Sequence, residues 1–150
     1  MTRRFWTATA CALALATTAA CNKDDAGTET GMGTNAPAAT TTAVAVDEIR
    51  VGKAIGADKR VTDEAGEFRR NETIYASVRT TGTAPSATLV ARWTYQDGQV
   101  VSEDTRNIAP SGTAVTEFSV SKPDGFPTGN YKVEILLDGR SVGTKDFEVK

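Results

Sequence analysis

Apolar and polar residues alternate in short runs from about Val46 to the end of the chain. In residues 72–80, for example, Ile74, Ala76 and Val78 share one face of an extended segment, and polar residues separate them. This period of two is typical of a strand with one buried face, and no helical period competes with it. The pattern predicts about seven strands, which cover residues 46–51, 72–80, 88–96, 99–107, 113–121, 130–137 and 141–149.

Two Asp-Gly pairs join neighbouring strands of this set. Asp97-Gly98 and Asp138-Gly139 each stand between two alternating runs. Such a pair favours a tight hairpin, because it supplies the two positive φ angles of a type I′ turn. The apolar residues of the last strand fall out of phase, which predicts a β-bulge near Gly143.

About seven antiparallel strands with regular turn signals predict an all-β fold, a β-sandwich, over residues 46–150. Trp93 on the third strand and the sequence PTGNY at 127–131 resemble features of immunoglobulin-like and fibronectin type III-like domains. The resemblance implies that Trp93 is buried and that Tyr131 stands at the start of the penultimate strand. The cysteines that link the two sheets of antibody domains are absent. The core therefore depends on apolar burial, at about 25 cal/mol per Å².

Residues 1–20 have the layout of a secretory signal peptide. Arg3 and Arg4 precede an apolar run of about a dozen residues, and small residues follow the run. The run is too short to cross a bilayer, which takes about 20 apolar residues. The sequence therefore predicts export of the chain and removal of this segment.

The end of the predicted signal, Thr18-Ala19-Ala20-Cys21, resembles the lipobox of bacterial lipoproteins. The resemblance implies that Cys21 carries a lipid and becomes the first residue of the mature chain. Ordinary cleavage after Ala20 is the alternative, and it would leave Cys21 as a free thiol. We favour lipidation, because a lone exposed thiol is a liability in an oxidising compartment.

For residues 21–45 the sequence predicts a lipidated N-terminus followed by a flexible linker. The stretch is rich in Gly, Ala, Thr and Asn and has almost no large apolar residue. It cannot bury enough surface to offset its chain entropy, so we expect disorder and a reach of about 25 Å. Asn22 stands where, in enteric lipoproteins, an Asp favours the inner membrane. The resemblance thus implies the outer membrane, facing the periplasm.

The composition excludes several kinds of chemistry. The chain has no His, which removes the commonest general base and zinc ligand. With 17 basic and 19 acidic residues, a net charge of −2, it has no electrostatic footprint for nucleic acid. It also has no phosphate-binding loop. We therefore predict that it is not an enzyme and takes no cofactor or metal.

Two groups of acidic residues are candidate sites. Residues 57–70 contain four acidic residues that suggest calcium ligands, but their spacing does not fit a known calcium loop. Basic residues crowd the same stretch, so a solvated loop between strands is the better interpretation. Glu103 and Asp104 are adjacent, so they point to opposite faces of a strand and cannot act as a catalytic pair. The four candidate ligands are Asp58, Asp63, Glu64 and Glu67.

The leading hypothesis is a lipid-anchored envelope protein whose Ig-like module mediates protein–protein interaction. The alternatives are a carbohydrate-binding module and an inhibitor or chaperone of a secreted enzyme. A carbohydrate-binding module needs an exposed aromatic platform. Trp93 fits the buried face of its strand better, which leaves Tyr75 and Phe126 as candidate contact residues.

Overall fold

The structure is a computed structural model, and it describes residues 41–150. Nine β-strands make up this part of the chain. They are β1 (Thr42–Ile55), β2 (Val61–Glu64), β3 (Glu67–Phe68), β4 (Ile74–Thr83), β5 (Ala87–Tyr95), β6 (Gln99–Ile108), β7 (Ala114–Val120), β8 (Gly129–Leu137) and β9 (Arg140–Val149). Within residues 41–150, no helix is long and apolar enough to cross a membrane.

The strands form two sheets, in the orders β2-β1-β4-β7 and β3-β9-β8-β5-β6. Neighbouring strands are antiparallel except β3 and β9, which are parallel. The orders β1-β4-β7 and β9-β8-β5 match strands A-B-E and G-F-C of the immunoglobulin fold, and β6 takes the position of C′. The predicted Ig-like β-sandwich is therefore confirmed.

The inward faces of both sheets meet in one apolar core. Trp93 is 1% exposed, and its ring meets Phe147 edge-on with centroids 5.9 Å apart. The alternation in residues 72–80 also holds, because Ile74, Ala76 and Val78 are all completely buried. A period of two is enough to assign these residues to one face, so this part of the core was predictable from the sequence.

The two predicted hairpins are present, but only one has the predicted turn. Asp138 and Gly139 form a two-residue loop with φ of 49° and 78°, as a type I′ turn requires. The other loop has three residues, 96–98, and its positive φ angles fall at Gln96 and Gly98. The type I′ prediction for Asp97-Gly98 is therefore wrong. The bulge near Gly143 is confirmed, since Val142 is unpaired between two register positions.

The first strand and the segment that follows it differ from the predictions. β1 begins at Thr42 rather than Val46, because Thr42 and Ala45 already pair with β4. The stretch 57–70, predicted to be a solvated loop, contains β2 and β3. Phe68 in β3 is 1% exposed and fills the core beside Phe147. Charged residues flank Phe68 on both sides, so the sequence pattern did not indicate that it is buried.

β2 folds over the outer face of the four-stranded sheet. The side chain of Val61 and the backbone of Asp63 occupy the space that a side chain at Gly52 would fill. Ser77, on the outer face of β4, is only 4% exposed, and its Oγ accepts a hydrogen bond of 3.3 Å from the Val61 N–H. The glycine at 52 thus allows β2 to lie close against β1, with which it pairs.

Candidate functional site

Cys21, the predicted lipidation site, lies outside the described residues. So do the predicted signal peptide and residues 21–40 of the predicted linker.

The aromatic side chains do not form an exposed platform in residues 41–150. Phe126, proposed as a surface residue of a loop, is 1% exposed, and its ring packs edge-on against Tyr131. That part of the prediction is wrong. Tyr75 and Tyr95 are each half-buried, and the remaining aromatic residues of this region are buried. The assignment of Trp93 to the core is confirmed.

Three of the four acidic residues of stretch 57–70 have a basic neighbour, and Asp63 makes no salt bridge within residues 41–150. Glu67 Oε1 lies 2.6 Å from Lys150 Nζ, and this bond holds the pKa of Glu67 below its ordinary value. Asp58 lies 3.5 Å from Arg60. No group of three or more metal-ligating side chains occurs in the described part of the chain.

Glu103 and Asp104 point to opposite faces of β6, as predicted. Glu103 Oε2 accepts a hydrogen bond of 2.8 Å from Arg92 Nε on the outer face. This bond raises the pKa of Arg92, which also lies 3.3 Å from Glu134. Asp104 Oδ2 lies 2.9 Å from Arg106 Nη2 on the other side of the strand. Both acids serve as ion-pair partners, and they do not share a cleft.

A groove of about 340 Å³ runs between β1 and β9, along the parts of both strands that lie beyond their short pairings with β2 and β3 and have no partner there within residues 41–150. Ile49 packs across it, with Cδ1 2.5 Å from the place where a Cβ on Gly143 would stand. Lys145 is paired with the buried Val133, so it lies on the inward row of β9, and Val142 forms a bulge. Bulges and inward charges are features by which natural sheets prevent strand addition. Addition of a strand at this groove is therefore disfavoured.

Three arginines surround a small pocket of about 80 Å³ on the outer face of the four-stranded sheet. They are Arg50, Arg60 and Arg79. Each has a carboxylate within 4.0 Å, and the Arg50–Glu48 bond of 2.7 Å holds the pKa of Glu48 below its ordinary value. Because its positive charges are compensated locally, the pocket is a network of surface ion pairs.

The other side of the sandwich carries β6 and β7, the last strand of each sheet. β7 makes seven consecutive pairs with β4, from Ile74–Val120 to Thr80–Ala114, without a register shift. No other strand in residues 41–150 pairs with β7. Its sequence, AVTEFSV, has a single charged residue, Glu117, and no Gly, Pro or Lys. β7 is therefore a straight edge with free backbone groups.

β6 is also terminal, but it is protected in several ways. Val101 bulges out of its pairing with β5, and Val100 and Val101 are 55% and 36% exposed. Asp104 and Arg106 lie opposite inward-facing residues of β5, and the guanidinium of Arg106 lies 6.0 Å from the ring centre of Phe118 in β7. Two charges on the inward side and a bulge make β6 a poor template for strand addition.

The free edge of β7 was not found by sequence reasoning. The strand itself was predicted over residues 113–121, and Phe118 and Val120 on its inward row are buried. Alternation assigns faces, but it does not say which strand ends a sheet. The sequence does show one feature of an unprotected edge, which is low charge: Glu117 is the only charged residue in 113–121.

No protein-family model matches the chain, and no curated protein sequence matches it. Several solved structures are similar. An immunoglobulin-like protein from Pseudomonas aeruginosa is 16% identical, with a TM-score of 0.48, over 72% of this chain and 97% of that chain. The CARDB domain of a Pyrococcus furiosus protein, solved in complex with di-metal ions, is 15% identical, with a TM-score of 0.48, over 74% and 90%.

An alkylpurine DNA glycosylase, AlkC from Pseudomonas fluorescens, is 16% identical over 71% of this chain, with a TM-score of 0.47. The chain spans 30% of the length of that enzyme, which was solved bound to DNA containing an abasic site analogue. These similarities concern the fold alone, which the strand order of the chain itself establishes. An Ig-like domain of this kind is compatible with a binding or structural module.

Proposed function

We propose that the chain is a lipid-anchored protein of the bacterial envelope whose Ig-like domain binds another protein through an unpaired sheet edge. The observation that carries the binding proposal is the free edge of β7, a strand with seven regular pairs on one side and no partner strand on the other within residues 41–150. Terminal strands offer unpaired N–H and C=O groups that another chain can use.

The proposed anchor is a lipid on Cys21. Support comes from the Thr18-Ala19-Ala20-Cys21 sequence behind a signal-like segment, and from the lack of any other cysteine after residue 21. Two or three acyl chains give stable membrane attachment, whereas one gives marginal binding. With Asn22 as the second mature residue, we place the protein at the outer membrane, facing the periplasm.

We propose that the domain acts by binding and not by catalysis. The chain has no His, and Glu67, Glu103 and Asp104 each form an ion pair with Arg or Lys. A carbohydrate-binding role receives no support from residues 41–150, since Trp93 and Phe126 are buried there. Inhibition or chaperoning of a secreted enzyme would be a special case of protein binding. The identity of the partner would distinguish it from a general interaction module.

Two experiments test the proposal in intact cells. Labelling with an alkyne-bearing fatty acid should tag the wild type and should leave Cys21→Ser unlabelled. A photo-cross-linking residue, benzoylphenylalanine, placed in turn at Val100 (β6), Val115 (β7) and Val142 (β9), should give a discrete adduct from at least one strand. Equal labelling of both chains would refute the anchor. The absence of adducts at all three positions would refute the protein-binding role.

A further inference from the structure

The unpaired edges of the domain are not equivalent, and β7 is the one that lacks protection within residues 41–150. β2 has four residues, two of them acidic, and β3 has two residues. The free parts of β6 and β9 contain bulges and inward-pointing charges. The part of β1 beyond β2 has two register shifts in its pairing with β4. β7 has seven residues in unbroken register, rich in β-branched and aromatic residues, with one charge. Straight edges of this kind are templates for strand addition.

We infer that β7 accepts an extended segment of another protein as an additional strand, with a basic residue of that segment facing Glu117. The inference rests on the proposed protein-binding function, and it specifies the strand and the chemistry of the partner. Addition at β7 would extend the four-stranded sheet to the order β2-β1-β4-β7-partner.

The requirement for a basic residue comes from the outward row of β7. Val115, Glu117 and Ser119 form this row, because they pair with outward-facing residues of β4. Glu117 stands opposite Ser77, and it makes no salt bridge to any residue in 41–150. On an added strand, the residue directly opposite Glu117 would have its Cβ about 5 Å away, within reach of an ion pair. Lys or Arg there complements the carboxylate, and Val or Thr at spacing two suits Val115 and Ser119.

The position of Glu117 also argues against a second copy of the chain as the occupant. Glu117 is the middle residue of Ala114–Val120. Two β7 strands in full antiparallel overlap would place one Glu117 directly opposite the other, and like charges in that arrangement are destabilising. The single charge therefore opposes self-pairing and favours a basic partner strand.

The test uses two synthetic heptapeptides and the mature chain, residues 21–150 carrying Cys21→Ser. One peptide is acetyl-TVTKTVT-amide, and the other has Glu in place of the central Lys. NMR titration should move the amide signals of residues 114–120 and leave those of 99–108 and 142–145 unchanged. The Lys peptide should bind the wild type about two- to five-fold more tightly than the Glu peptide, the range expected for one cross-strand ion pair. Glu117→Lys should reverse this preference.

A peptide with N-methyl groups at alternate backbone amides is the matched control. It keeps the side chains but cannot complete the ladder along the methylated edge, so it should not bind. Shifts centred on β6 or on the β1–β9 groove would overturn the inference. So would an unchanged peptide preference in Glu117→Lys, or dimerisation of the wild type through β7. The peptide titration uses purified protein, so it does not depend on the cross-linking in cells. A failure of strand addition at β7 can therefore be distinguished from a failure of the proposed protein-binding function.

Discussion

The hydroxyl of Tyr131 donates a hydrogen bond of 2.7 Å to the carbonyl oxygen of Pro127, four residues earlier in the chain. Tyr131 is near the start of β8, so this bond is the tyrosine corner of immunoglobulin-like domains. Tyr95 adds a second clamp, because its hydroxyl donates to the carbonyl oxygen of Thr128 at 3.0 Å. The two rings lie 4.8 Å apart. Together they fix the segment from which β8 starts.

The first prediction removes one hydrogen bond at this corner. Tyr131→Phe keeps the buried ring but loses the bond to Pro127, so the free energy of unfolding should fall by about 0.5–1.5 kcal/mol. Tyr95→Phe is the matched control, and it should cost less, because the bond of Tyr95 is exposed and water can replace it. Urea denaturation of the three proteins measures both values. A larger loss in Tyr95→Phe would contradict the importance of the corner.

The second prediction concerns the central core residue. Trp93→Ala should lower the free energy of unfolding by about 3–5 kcal/mol, as expected for a buried aromatic side chain. The indole N–H of Trp93 has no hydrogen-bond partner within residues 41–150, so this loss reflects packing. Tyr75→Ala, on the outer face, should be mild. A normal melting curve for Trp93→Ala, together with lost glycan binding, would instead support a carbohydrate-binding module.

Alternation in the sequence was sufficient to predict the fold class and much of the core. It placed Ile74, Ala76 and Trp93 on inward faces because a strand buried on one side has a fixed period of two. It failed at Phe68 and Phe126, single apolar residues surrounded by polar ones, because one residue has no period. Phe68 is buried against Phe147, which is distant in sequence, and Phe126 packs against Tyr131 from a loop that has no strand period.

The candidate site was less predictable than the fold. The importance of Glu117 depends on β7 being the last strand of its sheet, which is a property of strand order and not of local sequence. The same holds for Lys145, whose inward position matters only because the part of β9 beyond β3 is unpaired on the side of β1. Local patterns report which face a residue occupies, and tertiary arrangement decides which edges remain open.

The third prediction is a weakening of the fold in acid. Glu72 Oε2 accepts a hydrogen bond of 2.8 Å from the Arg69 N–H and lies 3.2 Å from Lys53 Nζ. The backbone bond, with the charge of Lys53, lowers the pKa of Glu72 below its ordinary value of 4.5. A carboxyl whose pKa is lower in the folded state stabilises the fold above the unfolded value. That contribution is lost as the pH falls through the folded pKa.

Melting temperatures measured from pH 6 to pH 3 should therefore fall, and they should fall less steeply in Glu72→Gln than in the wild type. The Gln side chain keeps an acceptor for the Arg69 N–H but has no charge to lose. At pH 6 the variant should be slightly less stable, because it lacks the interaction with Lys53. Parallel curves for the two proteins would show that Glu72 contributes nothing to the acid response.

The fourth prediction tests Glu117 as the residue that keeps β7 from pairing with itself. Glu117→Val converts AVTEFSV into an uncharged segment of β-branched, aromatic and small residues. Such segments pair readily when they lie on an exposed edge, and a single charge is enough to oppose this. Glu117→Val should therefore dimerise or aggregate at concentrations where the wild type stays monomeric, as measured by analytical ultracentrifugation.

Ser119→Val is the matched control, since Ser119 lies on the same outward row two residues away. It raises the apolar content of β7 by a similar amount but keeps the carboxylate of Glu117, so it should remain monomeric. If both variants associate equally, added apolar surface would be the cause and the charge of Glu117 would not be the barrier. If neither associates, β7 is not an open edge in solution, and strand addition there would lose its physical basis.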